Sequence, residues 1–207
     1  MIKPAPQEHN HTEKVKKTFH LRVPGIYFFV FAFITVIVFE ISSFLSGINY
    51  AVLRYKWNDT YTKLSTGYYK SSMLDQSLYP GMPSEVVRRT IIRGLEVEKL
   101  CNRSVTDGCW PKESYFADGS KAYSFESFPG FVLKNGVYVS GIQDTTGSCS
   151  SSSICNILSI DLNGSLKPNT FGKDQFRIYY YNDKIVPYYH GEDKYIGTTV
   201  KRYLYLK

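Results

Sequence analysis

Hard oxygen donors cluster in the stretch DLNGSLKPNTFGKDQF, which covers residues 161–176. Asp161, Asn163 and Asp174 offer carboxylate and amide oxygens of the kind that calcium takes as ligands. The pattern departs from an EF-hand loop, which carries further acids and a final Glu, and the two lysines of the stretch lower its negative charge. The residues leave two interpretations open, a calcium site at these three side chains or a hydrogen-bonded structural loop, and they favour the loop.

Catalytic chemistry is not indicated elsewhere in the chain. His190 is the one histidine beyond residue 20, and the sequence has no phosphate-binding, metalloprotease or nucleophile-elbow motif. The formal charge is +7, but lysines and arginines are interspersed with acids instead of forming one basic run. We therefore predict a protein that is not an enzyme, needs no cofactor apart from the calcium alternative, and does not bind nucleic acid.

The four cysteines form two close pairs, Cys101 with Cys109 and Cys149 with Cys155. Each pair encloses a short polar loop, a pattern typical of disulfide bonds in an oxidising compartment. Neither pair has the CxxC spacing of a zinc site. The sequence predicts two disulfides and an extracytoplasmic location for the residues around them.

A long apolar run, residues 24–46, follows a polar tail, residues 1–23, that carries several lysines. A helix over this run would be about 34 Å long, against about 30 Å for the hydrocarbon core of a membrane. We predict a transmembrane helix in preference to a cleaved secretory signal, with the tail in the cytoplasm and residues 47–207 outside as an α+β domain. Glu40 would contact a partner subunit or extend towards the lipid head groups.

Helical periodicity continues after the apolar run, and it could belong to the same helix. Apolar residues recur at spacings of three and four on one predicted helix face: Leu53, Trp57, Tyr61, Leu64 and Tyr68. A second helix is predicted from Ser84 towards Leu100.

Strands dominate the second half of the chain. Asn135-Gly136 predicts a type I′ hairpin between residues 131–133 and 137–139. Further strands are predicted at residues 154–162, 176–181, 184–188 and 200–206. The predicted fold class is α+β, with a long N-terminal transmembrane helix followed by a small antiparallel β-sheet domain that packs on the helical face.

Eight residues of the stretch 161–176 form a pattern with fixed spacing: Asp161, Asn163, Gly164, Pro168, Asn169, Gly172, Asp174 and Phe176. In this pattern, DxNGxxxPNxxGxDxF, the chain resembles a bacterial branch of the pilin-like proteins related to type IV pilins and type II secretion pseudopilins. The Cys109-Trp110 pair and the FVLKNGVYV hairpin lie in matching order.

The resemblance implies a pilin-like fold and a structural subunit of a type IV pilus or type II secretion-like filament. It implies a single-pass protein of the bacterial inner membrane with a periplasmic or surface domain. Partners would be other pilin or pseudopilin subunits, membrane assembly proteins and the lipid bilayer. The prepilin Gly and Glu are replaced by Thr18 and Val23. This departure favours the alternative, an anchored binding module on the same fold that does not polymerise.

Overall fold

The computed structural model describes residues 25–73, 82–144 and 150–187, without the side chains of residues 25–26, 43–48, 71–73 and 143–144. Its contacts divide the chain into two compact units, residues 1–44 and 45–207. Helix α1 covers Gly25–Met73 without interruption, and helix α2 covers Ser84–Ile91. The expectation that the apolar run and the following amphipathic segment form one helix is confirmed.

In the first unit, helix α1 exposes apolar side chains in every direction. Described side chains extend from Tyr27 to Ser42, and all of them are exposed. These sixteen residues extend over about 24 Å. No helix among the described residues is apolar over a sufficient length to cross a membrane. The predicted fold class, which begins with a transmembrane helix over residues 24–46, is therefore wrong.

The second unit contains a six-stranded antiparallel sheet in which strands adjacent in sequence are adjacent in space. The strands are β1 (Val97–Cys101), β2 (Gly130–Leu133), β3 (Tyr138–Asp144), β4 (Asn156–Asp161), β5 (Gln175–Tyr180) and β6 (Ile185–Val186). The antiparallel sheet expected after the helix is thus present. The strand predicted at residues 200–206 and the last residue of the one predicted at residues 184–188 lie outside the described residues.

The apolar face of α1 packs on this sheet. Trp57, Leu64 and Tyr68 are buried, and Leu53 and Tyr61 pack against the same core at partial burial. Two aromatic pairs join the helix to β5: the Trp57 ring lies 5.8 Å from that of Phe176, and the Tyr68 ring lies 5.3 Å from that of Tyr180. The predicted helix face is confirmed as the face that covers the sheet.

The second helix is shorter than predicted. It ends at Ile91, and Gly94 follows with a φ of 79°, a left-handed conformation that glycine adopts without strain. Residues after the turn form β1, which pairs with β2 from Val97 to Cys101. The prediction of a helix as far as Leu100 is wrong, because the last residues of the predicted helix pair with β2 as a strand. Spacing within the sequence does not reveal such pairing.

The hairpin at Asn135-Gly136 is present, but its turn is not of type I′. A type I′ turn needs positive φ at both central residues, and here only Gly136 has it, at 78°. The Gly136 amide donates to the Leu133 carbonyl, and the Leu133 amide donates to the Val137 carbonyl. The loop therefore has three residues and ends in a left-handed glycine, because the Asn135 side chain accepts the Val137 amide at 3.1 Å.

Candidate functional site

The stretch from Asp161 to Phe176 contains the connection between β4 and β5. The Asp161 carboxylate lies at the start of this connection. Asp161 ends β4 and lies opposite Gln175, the first residue of β5. One of its oxygens accepts the amides of Asn163 at 3.2 Å and Gly164 at 2.8 Å, and the other accepts the Gln175 side-chain amide at 2.7 Å. Asp161 is fully buried, so these donors replace its hydration.

Asp174 has the same role at the other end of the connection. Its two oxygens accept the backbone amides of Asn169 at 2.8 Å and Thr170 at 2.7 Å. Asn169 is the one non-glycine residue with positive φ among the described residues, at 51°. A buried carboxylate therefore holds the chain where it takes an unfavourable backbone conformation.

The loop requires glycine at position 164 because a side chain cannot be accommodated there. Its φ is 65°, and a Cβ would lie 2.9 Å from the Gly136 carbonyl oxygen and 3.0 Å from the Tyr138 ring. Asn163 adds a bond across the loop, from its side-chain amide to the Lys167 carbonyl at 3.1 Å. The motif residues thus form a hydrogen-bonded loop, the interpretation that the sequence favoured.

The calcium alternative at Asp161, Asn163 and Asp174 stays a prediction. The amide oxygens of Asn163, Asn169 and Gln175 are buried and have no hydrogen-bond partner within the described residues, and amide oxygens suit calcium. Against it, N–H donors already occupy the oxygens of both carboxylates. Among described residues, no three histidine, cysteine or acidic side chains are grouped as metal ligands.

Burial changes the acidity of these groups. Desolvation raises the pKa of the Asp161 carboxyl well above its ordinary value, and the nearby Asp174 charge raises it further. Desolvation also raises the pKa of Asp174. On the facing helix, burial lowers the pKa of Lys56, an effect that attraction to Asp161 partly offsets. The loop therefore keeps two carboxyl groups in an environment that disfavours their charge.

The tip of the loop is exposed between two grooves. Residues 165–168 are all exposed, and Leu166 is 67% exposed. On one side, a groove of about 400 Å³ separates the tip from α1. On the other, a groove of about 460 Å³ separates it from the segment that follows Cys109. Lys167 and Pro168 line both grooves, so this loop is the wall between them.

Cys101 and Cys109 form a disulfide, as the sequence predicted. Sequence reasoning missed the side chain behind it, Arg88 of α2. Arg88 is buried, forms an ion pair with Glu85 at 2.5 Å and donates to the Cys101 carbonyl. An arginine in a polar helical sequence gives no signal of burial, so only the fold reveals that it joins α2 to the disulfide loop.

The other predicted residues have different outcomes. Cys155 is buried and disulfide-bonded, whereas Cys149, its predicted partner, lies outside the described residues. Glu40 is exposed on α1, and neither interpretation of its role is decided. An aromatic cluster that the sequence did not indicate lies beside the loop, formed by Trp110, Phe116, Phe125 and Phe171.

Comparison with known proteins does not assign the chain to a family. No protein-family model, no curated protein and no solved structure matches it.

The buried carboxyl groups predict an unusual pH dependence. The pKa values of Asp161 and Asp174 are raised in the folded state, so above about pH 4 the folded chain binds more protons than the unfolded chain. The contribution of these two groups to stability therefore falls as the pH rises from about 4 through their folded-state pKa values. We expect Asp161→Asn to be more stable than the wild-type chain at pH 7 and to lose this advantage on acidification. Thermal melts of both full-length chains in mild detergent between pH 4 and 8 measure this difference in stability.

Asp118→Asn is the matched control. Asp118 is exposed, and the Ser120 side chain and amide lower its pKa, so its contribution is lost as the pH falls. In the Asp161→Asn chain, the new side-chain amide keeps an acceptor for the Gly164 N–H and can donate to the Gln175 oxygen that now lacks a partner. An Asp161→Asn chain less stable than wild type at pH 7 would contradict the expectation.

Proposed function

We propose that the chain is a non-enzymatic structural subunit that assembles with other copies through the exposed apolar segment of α1, residues 27–42. The observation that carries the proposal is the exposure of twelve large apolar side chains there: Tyr27, Phe28, Phe29, Val30, Phe31, Phe33, Ile34, Val36, Ile37, Val38, Phe39 and Ile41. A helix that is apolar on all sides is stable only when other apolar surface covers it.

Two features support a filament subunit in particular. The loop from Asp161 to Phe176 carries the pattern by which the sequence resembles pilin-like proteins, and such proteins assemble through N-terminal helices. The Cys101–Cys109 disulfide supports placing residues 45–207 in an oxidising compartment. The proposal assigns assembly to the apolar segment and presentation of a folded surface to the second unit.

Glu40 has a specific role in this proposal. A carboxylate within an apolar interface is stable only with a partner, so we assign it a contact with a basic group or an amino terminus of the adjacent subunit. Thr35 lies in the same segment, and its hydroxyl donates to the Phe31 carbonyl of its own helix. Glu40 is thus the charged group of the segment and Thr35 a polar side chain satisfied within it.

Co-purification of two differently tagged full-length copies, co-expressed and extracted in mild detergent, tests the proposal. We expect wild-type copies to purify together and Phe31→Ser/Phe33→Ser/Phe39→Ser copies to purify alone. Each serine removes apolar surface whose burial in the contact contributes about 2 kcal/mol. Glu40→Leu is expected to reduce recovery about tenfold. Tyr55→Ser, at an exposed aromatic residue of α1 outside the segment, is expected to leave recovery unchanged.

Two outcomes would contradict the proposal. Wild-type copies that purify separately would favour the non-polymerising binding module. Copies that stay together after the triple replacement would place the contact elsewhere in the chain.

A further inference from the structure

The groove between α1 and the β4–β5 loop, here called the α1 groove, has the character of a docking surface. Leu166 and Val52 lie on its two walls, 67% and 46% exposed respectively. Tyr50 and Pro168 add apolar surface. Exposed apolar side chains that face each other across a groove are typical of a surface that another protein covers.

The wall that carries Leu166 is held in place before any partner arrives. Asp161 and Asp174 bind four backbone amides of the connection, and the Asn163 side chain donates to the Lys167 carbonyl. A loop fixed in this way loses little conformational entropy on binding. The exposed tip, residues 165–168, is therefore preorganised to contact a partner.

The charge of the groove indicates the chemistry of that partner. Lys56 and Lys167 line it, and none of the described lining residues is acidic. Lys56 is already partly desolvated, since burial lowers its pKa. A complementary surface must offer an apolar side chain beside a carboxylate.

The chain itself has such a surface at the sheet edge formed by β1. Within the described sheet β1 pairs with β2 alone, and Leu100 is 52% exposed there. Glu98, two residues before it at an irregularity in the β1–β2 register, is exposed, and it belongs to none of the ion pairs in the described part of the chain. The intervening Lys99 donates to the Asp107 carbonyl and attracts the Asp107 carboxylate.

The two surfaces cannot meet within one molecule. In the sheet, β1 is three strands from β4, a separation of about 14 Å. A contact between the α1 groove of one copy and the β1 edge of another joins different surfaces, so it can be repeated head to tail, in a ring or in an open filament. Such repetition is what a filament needs.

We propose that the α1 groove binds the β1 edge of a second copy, with Leu100 between Leu166 and Val52 and Glu98 facing Lys56 and Lys167. The proposal rests on the proposed assembly and adds a second, directional contact to it. The apolar segment supplies most of the buried area, and the groove sets the order of the subunits.

Photo-crosslinking tests this contact in the full-length chain. Benzoylphenylalanine at position 166 of one tagged copy, co-expressed with a differently tagged copy, is expected to crosslink on irradiation to the peptide that contains Val97–Cys101 of the other copy. Lys56→Glu/Lys167→Glu should lower the yield at least about fivefold, and Glu98→Lys in the receiving copy should restore most of it. Lys173→Glu, an exposed change in the same loop away from the groove, is the matched control and should have no effect.

The co-purification experiment on the apolar segment separates the two proposals. Copies that purify together without the 166 crosslink would overturn the groove contact and leave the assembly proposal intact. Crosslinks to a different protein, to lipid or to another part of the chain would also overturn it, as would a yield unaffected by charge reversal. Wild-type copies that purify separately would overturn both.

Discussion

Replacement of Trp57 by alanine is expected to lower the free energy of unfolding of residues 45–207 by about 3–5 kcal/mol. The Trp57 ring is 3% exposed, stacks on Tyr61 at 5.5 Å and meets the edge of Phe176 at 5.8 Å. Its removal leaves a cavity between α1 and β5, which the rigid sheet cannot close.

Tyr55→Ala provides the control, because Tyr55 is an aromatic residue of the same helix that is 69% exposed. It should change stability by no more than about 0.5 kcal/mol. Chemical denaturation of the full-length chain in mild detergent, followed by circular dichroism, measures both variants. A Trp57→Ala loss below about 1.5 kcal/mol would mean that α1 contributes less to this core than its contacts imply.

The helical face was predictable because α-helix geometry fixes which side chains share a side. Spacings of three and four placed Leu53, Trp57, Tyr61, Leu64 and Tyr68 together, and the structure packs them on the sheet. The Asn135-Gly136 hairpin was predictable for a similar reason, since few residue pairs favour so tight a turn. Both signals are local, because neighbouring members of the helix face are three or four residues apart and the turn consists of consecutive residues.

Non-local interactions account for the errors. Residues 97–100 read as the end of a helix, yet their backbone groups pair with β2, more than thirty positions along the chain. The hairpin turn is an exception, since the Asn135 side chain accepts the amide of Val137, only two residues along the chain. Arg88 is buried because the carbonyls of Cys101 and Gly130 converge on it in the fold.

The candidate site was predictable as a motif but not as a surface. Glycine, proline and asparagine types identified a structured loop between two strands. That Asp161 faces Gln175 depends on the register of β4 with β5. That Leu166 faces Val52 across a groove depends on the position of α1 against the loop, which no spacing within the motif specifies.

The apolar segment shows the limit of composition as evidence. Residues 25–46 were identified correctly as helical, but the predicted fold class, which began with a membrane-spanning helix, was wrong, because no described helix is apolar over a sufficient length to cross a membrane. The proposals depend on what covers the twelve exposed apolar side chains. The proposed assembly therefore rests on the exposure of these side chains in the structure and not on the length of an apolar run.

Asp174→Ala is expected to lower the free energy of unfolding by about 2–4 kcal/mol, since it leaves the amides of Asn169 and Thr170 without an acceptor. Loss of a buried charge near Asp161 offsets part of this cost. Asn169 has an unfavourable positive φ, and its amide donates to the Asp174 carboxylate. Loss of this acceptor should therefore also loosen the loop tip. Hydrogen exchange of residues 163–172 is therefore expected to accelerate more than that of β5.

Two comparisons separate the role of the Asp174 carboxylate from a general effect of mutation. Asp174→Asn keeps one acceptor oxygen and removes the charge, so its loss should be less than half that of alanine. Asp118→Ala removes an exposed acceptor that serves only Ser120, and it should cost no more than about 0.5 kcal/mol. If the groove contact depends on a preorganised loop, Asp174→Ala also lowers the crosslink yield at position 166 while co-purification through the apolar segment persists. An Asp174→Ala chain with wild-type exchange at residues 163–172 would show that the loop is held by something other than this carboxylate.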